Sequence, residues 1–467
     1  KATQSTAAPT VEMQQREVVL NELRTIYYAG AGRLSRRERR ERIESLEAEA
    51  NQLERRIAQS SGVAFREPVT LERLRESLPP RTAFLDVIQI RRYTRRAAGE
   101  EVVERRSSPG FLIRADAPVA RVEFGDVKTL NEAAQEFFAV LSAGGLDYET
   151  SGRVLAEKIR VPLEPLLKDI DCLIICGDGL LHLLPLGALP DQEPDSFWID
   201  RMAFVSVGSA HSFVERISHK TVVAPRTGLV IGGLDYGTPA EGDGKWTPLP
   251  GTLREARRVT ELMKPSLVDC VLLTGTAPTE SVVRGKLLSS QFVHLATHGF
   301  FGGRADRQTD GFEVLDISQE LDSAIALAGA NVPTEKEDEL LTAAELRELD
   351  LRHIRLMVLS ACQTGLGHIR AGQGLVGLLG ALSRSGVRST ISSLWEVNDE
   401  ATANLMTEFY THMQRDPGDV DLGQSLRFAQ LKLRSGEIRP SSGGTFKHPR
   451  FWAAFFLSGV PQMSFVQ

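Results

Sequence analysis

From about residue 170 onward, short apolar runs recur along the chain: Cys172 to Cys176, Thr227 to Ile231, Val268 to Leu273, Phe292 to Ala296, Leu356 to Leu359 and Thr390 to Leu394. Segments with helical periodicity separate them. Strands that are apolar throughout and alternate with helices predict a parallel sheet covered on both faces. Upstream the pattern changes. Phe84 to Ile90, Gly110 to Ile113 and Val119 to Phe124 read as antiparallel strands joined by polar loops, before a helix through Leu130 to Leu141. A short amphipathic helix carrying Leu71, Leu74 and Leu78 precedes them, capped by Thr70 and stopped at Pro79-Pro80. Residues 11 to 60 are rich in Glu, Arg, Leu and Ala and break at Gly30-Ala-Gly32, which predicts two helices folded back as a hairpin. Such a pair needs a partner surface.

Composition narrows the class. At 467 residues the chain has room for about three domain-sized units, and its 42% hydrophobic and 25% charged content is that of a soluble globular protein. No run of about 18 apolar residues is present, and the first residues lack the apolar stretch of a signal peptide, so a cytoplasmic, non-membrane protein is expected. A start at Lys1 is what a fragment or a processed chain would have. Four cysteines are too few for a disulfide scaffold, and Cys172, Cys176 and Cys270 lie inside apolar runs where a cysteine acts as a small hydrophobe. Only Cys362 ends a run and enters a polar turn. The formal net charge of −6 argues against nucleic-acid binding by the chain as a whole. Arginines 33, 36, 37, 39, 40 and 42 interleave with glutamates 38, 41, 44, 47 and 49, the pattern of a solvated helix face.

In parallel sheets, active sites gather at the carboxyl ends of the strands. Two of those ends carry capable residues: Phe292-Val-His-Leu-Ala-Thr-His298 and Leu356-Met-Val-Leu-Ser-Ala-Cys362, with the two final residues 64 apart (362 − 298). If these strands are neighbours, imidazole and thiol face each other as a base and a nucleophile require. The imidazole takes the thiol proton and later protonates the leaving amine, while the backbone N–H of Gly299 is placed to bind the oxyanion. On spacing alone, a histidine or cysteine at a strand end is more often structural.

Other constellations weaken on inspection. His294 and His298 have zinc-like spacing for a helix, but four residues along a strand put them about 13 Å apart, too far for one metal. His294 and His182 therefore read as structural. Gly372-Gln-Gly-Leu-Val-Gly377 has the form of a dinucleotide fingerprint, yet residues 361 to 371 separate it from the preceding strand, so it reads as helix packing.

Three longer segments resemble the signatures of CHAT peptidases, relatives of caspases and separase: Val293-His-Leu-Ala-Thr-His-Gly-Phe-Phe301, Val358-Leu-Ser-Ala-Cys-Gln-Thr-Gly-Leu-Gly367 and Ser392-Ser-Leu-Trp-Glu-Val-Asn-Asp-Glu-Ala-Thr402. Weaker likeness covers Gly177 to Pro185, Pro248 to Ala256 and His448 to Phe455, so it runs from about residue 70 to the end. The resemblance implies an α/β fold: a caspase-like, mostly parallel sheet with helices on both faces, preceded by a non-catalytic α/β half and the N-terminal helical hairpin. On that basis the expected division is residues 1–66 as a helical segment, 67–225 as the non-catalytic half and 226–467 as the catalytic half. The first segment would end an array of tetratricopeptide-type repeats, although no repeat of that period is visible.

The resemblance also implies the activity, a cysteine endopeptidase with His298 and Cys362 as its catalytic pair. It needs no cofactor and no metal, and no calcium-ligand cluster is recognisable. The expected partners are a protein substrate and a regulatory protein held by the N-terminal helices, with membrane excluded and direct nucleic-acid binding not expected. A bacterial defence role follows from resemblance alone. The matching pocket segments are Leu234-Asp-Tyr236 and Trp395-Glu-Val-Asn-Asp399, where an acidic residue would select a basic side chain. Asp399 is the first choice, with a helix N-cap as its competing reading. Asp235 is the second, with turn chemistry as the competing reading. Gly302 to Glu339, long and polar between the dyad strands, is expected to be a mobile gating loop. The alternative to a peptidase is a CHAT scaffold whose dyad is idle.

Overall fold

A computed structural model describes residues 69–95, 102–178, 181–182, 184–218, 226–238, 246–301, 323–334, 338–360, 373–415 and 418–464, with scattered helical positions between 11 and 56. Twelve strands form one sheet. In chain order its strands are β1 (Thr82–Val87), β2 (Ile90–Arg95), β3 (Val102–Arg114), β4 (Ala120–Asp126), β5 (Cys172–Cys176), β6 (Ala203–Ser206), β7 (Thr227–Leu234), β8 (Asp269–Gly275) and β9 (Phe292–Leu295). Three more follow after an insertion, β13 (Leu356–Leu359), β14 (Ser389–Ser393) and β16 (Phe455–Gly459). The insertion itself carries a three-stranded antiparallel sheet, β10 (Gly299–Phe301), β11 (Ser323–Ala326) and β12 (Leu340–Thr342). A third, two-stranded sheet joins β15 (Asp419–Asp421) to β17 (Gln462–Ser464).

Strand order explains the two sequence patterns. The large sheet runs β2-β3-β1-β5-β6-β16-β14-β13-β9-β7-β8, with β4 on β3. Strands β1, β5, β6 and β16 are parallel to one another, and so are β14, β13, β9, β7 and β8. The two blocks meet at one antiparallel pair, β14 with β16. Strands β9, β13 and β14 are buried at every position, as strands covered on both faces should be. By contrast β4 alternates buried Val122 and Phe124 with exposed neighbours, because the β1–β4 meander is antiparallel and solvated on one side. The sheet crosses the expected boundary at residues 225/226, since β16 of the C-terminal segment lies beside β6.

Local signals set the helix ends. Before the helix Val127–Ala143, the Asp126 carboxylate accepts the N–H groups of Lys128 and Thr129, and Gly144 closes it with φ of 75°. That helix turns Leu130, Ala134, Phe137 and Leu141 inward, at helical spacing. Thr70 caps Leu71–Glu76 as expected, its side chain accepting the Arg73 N–H.

The insertion departs from expectation. Within Gly302 to Glu339, residues 302–322 and 335–337 lie outside the described set, but Ser323–Ala326 is a strand at most 1% exposed. Polar composition across the whole segment hid this short buried run between two partner strands.

The N-terminal helices form their own small core of Val19, Leu23, Ile43, Leu46, Ala50 and Leu53. Arg42 ties the two together through Glu22 at 2.8 Å, as a hairpin would. Their partner surface is the helix Ala343–Glu348: Ala344 completes the cluster, and Arg16 Nη1 meets Glu348 Oε1 at 3.0 Å. A capping box starts that helix, with Thr342 Oγ1 and Glu345 bonded reciprocally. Glu345 also shares a hydrogen bond with Glu280, and both reach Arg284 Nη1, at 3.0 and 3.2 Å. Burial, and then the negative charges of Glu345 and Asp338, push the Glu280 carboxyl up to about 8. Glu339 accepts the Glu280 backbone N–H at 2.6 Å. The folded protein thus holds a proton at Glu280 that the unfolded chain releases near the ordinary 4.5. This contribution to stability is complete below that value and is lost as pH rises through about 8. Thermal melts should therefore show Tm falling between about pH 5 and pH 8, with a shallower slope in Glu280→Gln, which stays neutral; equal slopes would remove the assignment.

Candidate active site

Strands β7, β9, β13 and β14 all deliver their carboxyl ends to one edge of the sheet. Three residues after β9, His298 is 1% exposed. Its Nε2 lies 2.6 Å from the carbonyl oxygen of Thr247. A carbonyl can only accept, so Nε2 carries the ring proton and Nδ1 is the basic nitrogen of the neutral imidazole. Two aromatic rings flank it, Tyr236 at 5.0 Å and Trp246 at 5.5 Å between centroids.

Each neighbour is itself held. Thr297 Oγ1 donates to the Ala326 carbonyl at 2.7 Å, which uses its only proton, so the Tyr236 hydroxyl donates to Thr297 across 2.8 Å. Burial pushes the Tyr236 phenol up to about 12, so it stays a neutral donor. Ala326 N–H in turn donates to the His298 carbonyl at 2.9 Å. Asn331 ties the two aromatic segments: its Oδ1 accepts the Trp246 N–H at 2.9 Å, and its Nδ2 donates to the carbonyls of Trp246 and Gly237 at 2.8 and 3.0 Å. Sequence reasoning missed Trp246, Thr247 and Asn331, which lie in polar, glycine-flanked loops with no periodicity. Their signal was faint, two aromatics flanking a glycine-rich loop after β7.

Gly299 opens β10 opposite Ile325. Because Ala326 and His298 form the hydrogen-bonded pair of the ladder, the next pair, Gly299 with Ile325, is a non-bonded one. The Gly299 N–H consequently points away from β11. Cys362 lies outside the described residues. What is described is the ladder leading to it: Leu295 pairs Leu359, and Ser360 N–H donates to the Leu295 carbonyl at 2.9 Å.

Asp399 is exposed and stands first in the helix Asp399–Met413. Asn398, not Asp399, caps that helix, accepting the N–H groups of Glu400 and Ala401. The capping alternative for Asp399 is thereby corrected: its side chain lies one position too late to reach back over the first turn, and packs against Gly251. Gly251 is at the start of the helix Pro250–Met263, four residues after Thr247. Asp235 is exposed, and its Oδ1 accepts the Gly237 N–H at 3.0 Å, the local turn bond expected of Asp.

The other histidines weighed from the sequence, His294 and His182, and the three described thiols lie within the fold and away from this edge's chemistry. His294, inside β9 and 1% exposed, bonds Tyr410 OH through Nδ1 at 3.2 Å and Glu255 Oε1 through Nε2 at 3.1 Å. Burial lowers the His182 pKa. Cys172, Cys176 and Cys270 are free thiols in β5 and β8, and burial pushes all three upward, Cys176 to about 12. Among the described residues no cluster of His, Cys, Asp and Glu could hold a metal ion, and no helix is long and apolar enough to cross a membrane.

The fold and this edge define an α/β protein with an oriented, buried histidine at the carboxyl end of a parallel strand. The CHAT domain family matches residues 149–460, more than half of the chain, and the chain belongs to that family. No curated protein matches it. Among solved structures it is similar to separase of Saccharomyces cerevisiae in complex with securin, in two crystal structures at 13% identity and TM-scores of 0.36 and 0.38. Those matches cover 96% of this chain and 27% of the separase chain, so the chain spans about a quarter of that relative. It is also similar to the complex of Porphyromonas gingivalis RgpB pro- and mature domains, at 10% identity and a TM-score of 0.40, covering 72% of this chain and 77% of that one.

Replacing Asn331 by Ala leaves buried backbone groups around Trp246 unpaired, which should lower the unfolding free energy by about 1–3 kcal/mol in urea titrations. Tyr236→Phe removes one neutral bond and should cost about 1 kcal/mol.

Proposed function

We propose that the chain is a cysteine endopeptidase that hydrolyses peptide bonds of a protein partner, with His298 as acid/base and Cys362 as nucleophile. The register of β9 and β13 carries this reading. Paired residues differ by 64 (359 − 295), and His298 and Cys362 also differ by 64 (362 − 298), so each follows its strand by three residues. Two groups that leave adjacent parallel strands at matched positions are the arrangement a dyad requires.

The chemistry follows from the imidazole's orientation. Nδ1 of His298 takes the proton from the Cys362 thiol, and the thiolate adds to the scissile carbonyl carbon. The developing oxyanion is met by the Gly299 N–H. The Nδ1 proton then passes to the leaving amine as the C–N bond breaks, leaving a thioester on Cys362. Water, deprotonated by the same nitrogen, attacks the thioester and releases the acid. Throughout, the Nε2–H bond to Thr247 holds the ring in one tautomer and supports the imidazolium. The three strand cysteines are poor competitors, since burial keeps them as thiols.

Asp399 is our choice for recognition of a basic side chain before the cut, with Asp235 as a second carboxylate on the β7 side. The segment from Thr247 to Gly251 supports the first assignment, because its one end holds His298 and its other end touches Asp399. Regulation by a protein partner through the N-terminal helices is supported by their seat on Ala343–Glu348, directly after β12 of the sheet that buttresses His298.

Cleavage of a proteome-derived peptide library tests the reading. Wild type should cut, Cys362→Ala and His298→Ala should lose at least about a thousandfold in kcat/KM, and Asp399→Asn should lose the basic preference with little loss on neutral sites. A peptide electrophile should label Cys362 and spare the other thiols. Absence of cutting and labelling, with the N-terminal helices both present and removed, would leave an idle CHAT scaffold.

A further inference from the structure

The proposed chemistry makes no use of the segment His448 to Phe455, one of those that carry the family resemblance. It holds a one-turn helix, Pro449–Trp452, capped by His448. Nδ1 of His448 accepts the Arg450 N–H at 3.1 Å, and Nε2 lies 3.2 Å from the Gly145 carbonyl oxygen. A carbonyl accepts and an N–H donates, so the two bonds together require the neutral ring with its proton on Nε2. Protonation of Nδ1 would set two donors against each other and remove the cap. So short a helix has little of its own to replace it: the Phe451 N–H bonds the His448 carbonyl, and the Ala453 N–H bonds the Pro449 carbonyl.

Arg450 links this helix to its neighbours on two sides. Its Nη1 donates to the Ala143 carbonyl at 3.3 Å, at the C-terminal end of the helix Val127–Ala143, where a cation is favoured. Gly144 leaves the room, since a Cβ there would lie 2.8 Å from that nitrogen. On the other side the Arg450 carbonyl accepts the Trp395 indole N–H at 2.9 Å. Trp395 is 2% exposed and meets Phe138 of the same helix Val127–Ala143 edge to face, at 5.4 Å between centroids. It lies between the end of β14 and Asp399.

We propose that His448 is a positioning residue: through Arg450 and Trp395 it fixes the segment that carries Asp399, and it does so only as the neutral imidazole. The consequence for cleavage rests on the peptidase reading, whereas the coupling of His448 to Trp395 does not. The groups around the ring set the pH at which the cap fails. Burial lowers its pKa most, the Gly145 bond opposes this and the Arg450 charge adds to it, so the ring protonates below the ordinary 6.5. Tyr148, from the helix Tyr148–Leu163, meets it edge-on at 4.6 Å as a neutral phenol, pushed up by burial and then by Glu149 and Asp195. The cap is therefore intact at neutral pH and is lost as pH falls through that lowered value.

NMR of the indole N–H groups in the full chain, with the Trp395 resonance assigned by Trp395→Phe, reads the coupling directly. That resonance should shift between about pH 8 and pH 5, with its midpoint below 6.5. His448→Asn supplies an acceptor for the Arg450 N–H at every pH and should hold the resonance still. In the peptide library, the kcat/KM ratio of basic to neutral sites should fall about two- to tenfold over the same range, the worth of one hydrogen bond, through KM and not kcat. His448→Asn should keep that ratio, and His448→Ala should lose it at both ends of the range. A purely structural cap would lower Tm in His448→Ala and leave both readouts level. An equal shift in wild type and His448→Asn, or none in wild type, would overturn the coupling. A shift that follows His448 while the ratio stays level would overturn the positioning role. Absence of all cutting would count against the peptidase reading, with the resonance still deciding the coupling. If His448→Ala does not fold, the comparison of wild type with His448→Asn decides both.

Discussion

One strand, Phe455–Gly459, holds the two parallel blocks together. It runs parallel to β6 on one side and antiparallel to β14 on the other, so the large sheet is continuous between the two blocks only through it. Its two ends are pinned. Gln430 donates through one amide nitrogen to the carbonyls of Trp452 and Phe455, both at 2.9 Å, fixing where the strand begins. At the far end Gly459 has φ of +117°, and a Cβ there would lie 2.3 Å from the Arg388 carbonyl oxygen. Only glycine fits that close approach. Because β14 sits beside β13, and β13 beside β9, the seam also sets the depth at which the carboxyl-end residues leave the sheet.

A second, smaller sheet does for His298 what the large one does not. Past Ala296, whose N–H still donates to the Ile231 carbonyl of β7, the chain has left the parallel ladder, and an exit loop alone would leave the imidazole's backbone unsupported. Strand β11 takes over, accepting from Thr297 and donating to His298 through the same residue, Ala326. The same sheet ends in the capping box on which the N-terminal helices rest. A partner that shifts those helices would act, through their described contacts, on the helix Ala343–Glu348 that follows β12 directly.

How much of this the sequence disclosed depended on the periodicity of each segment. The strands Cys172–Cys176 and Leu356–Leu359 have the bounds that their apolar runs suggest, since burial on both faces leaves an unbroken signal. His298 at a strand end was legible for the same reason. Ser323–Ala326 was not, because a four-residue strand of small side chains inside a long polar stretch has too few positions to establish a period. The groups that orient His298 were illegible for a different reason. Thr247 acts through its backbone carbonyl, which any residue could supply, and Asn331 is brought to Trp246 from 85 positions away.

The two histidines of Val293-His-Leu-Ala-Thr-His298 have opposite fates, and one depends on the other. His294 spends both ring nitrogens on partners in different helices, Glu255 in Pro250–Met263 and Tyr410 in Asp399–Met413. With Glu255 and Tyr410 each 3% exposed, neither bond has water to replace it, and loss of one partner would strand a buried polar group. The N-terminal end of the first helix lies just after Thr247, which orients His298, and that of the second carries Asp399. A strand histidine with no route to substrate thus fixes the two helices from which the acid/base ring and the proposed specificity carboxylate take their positions.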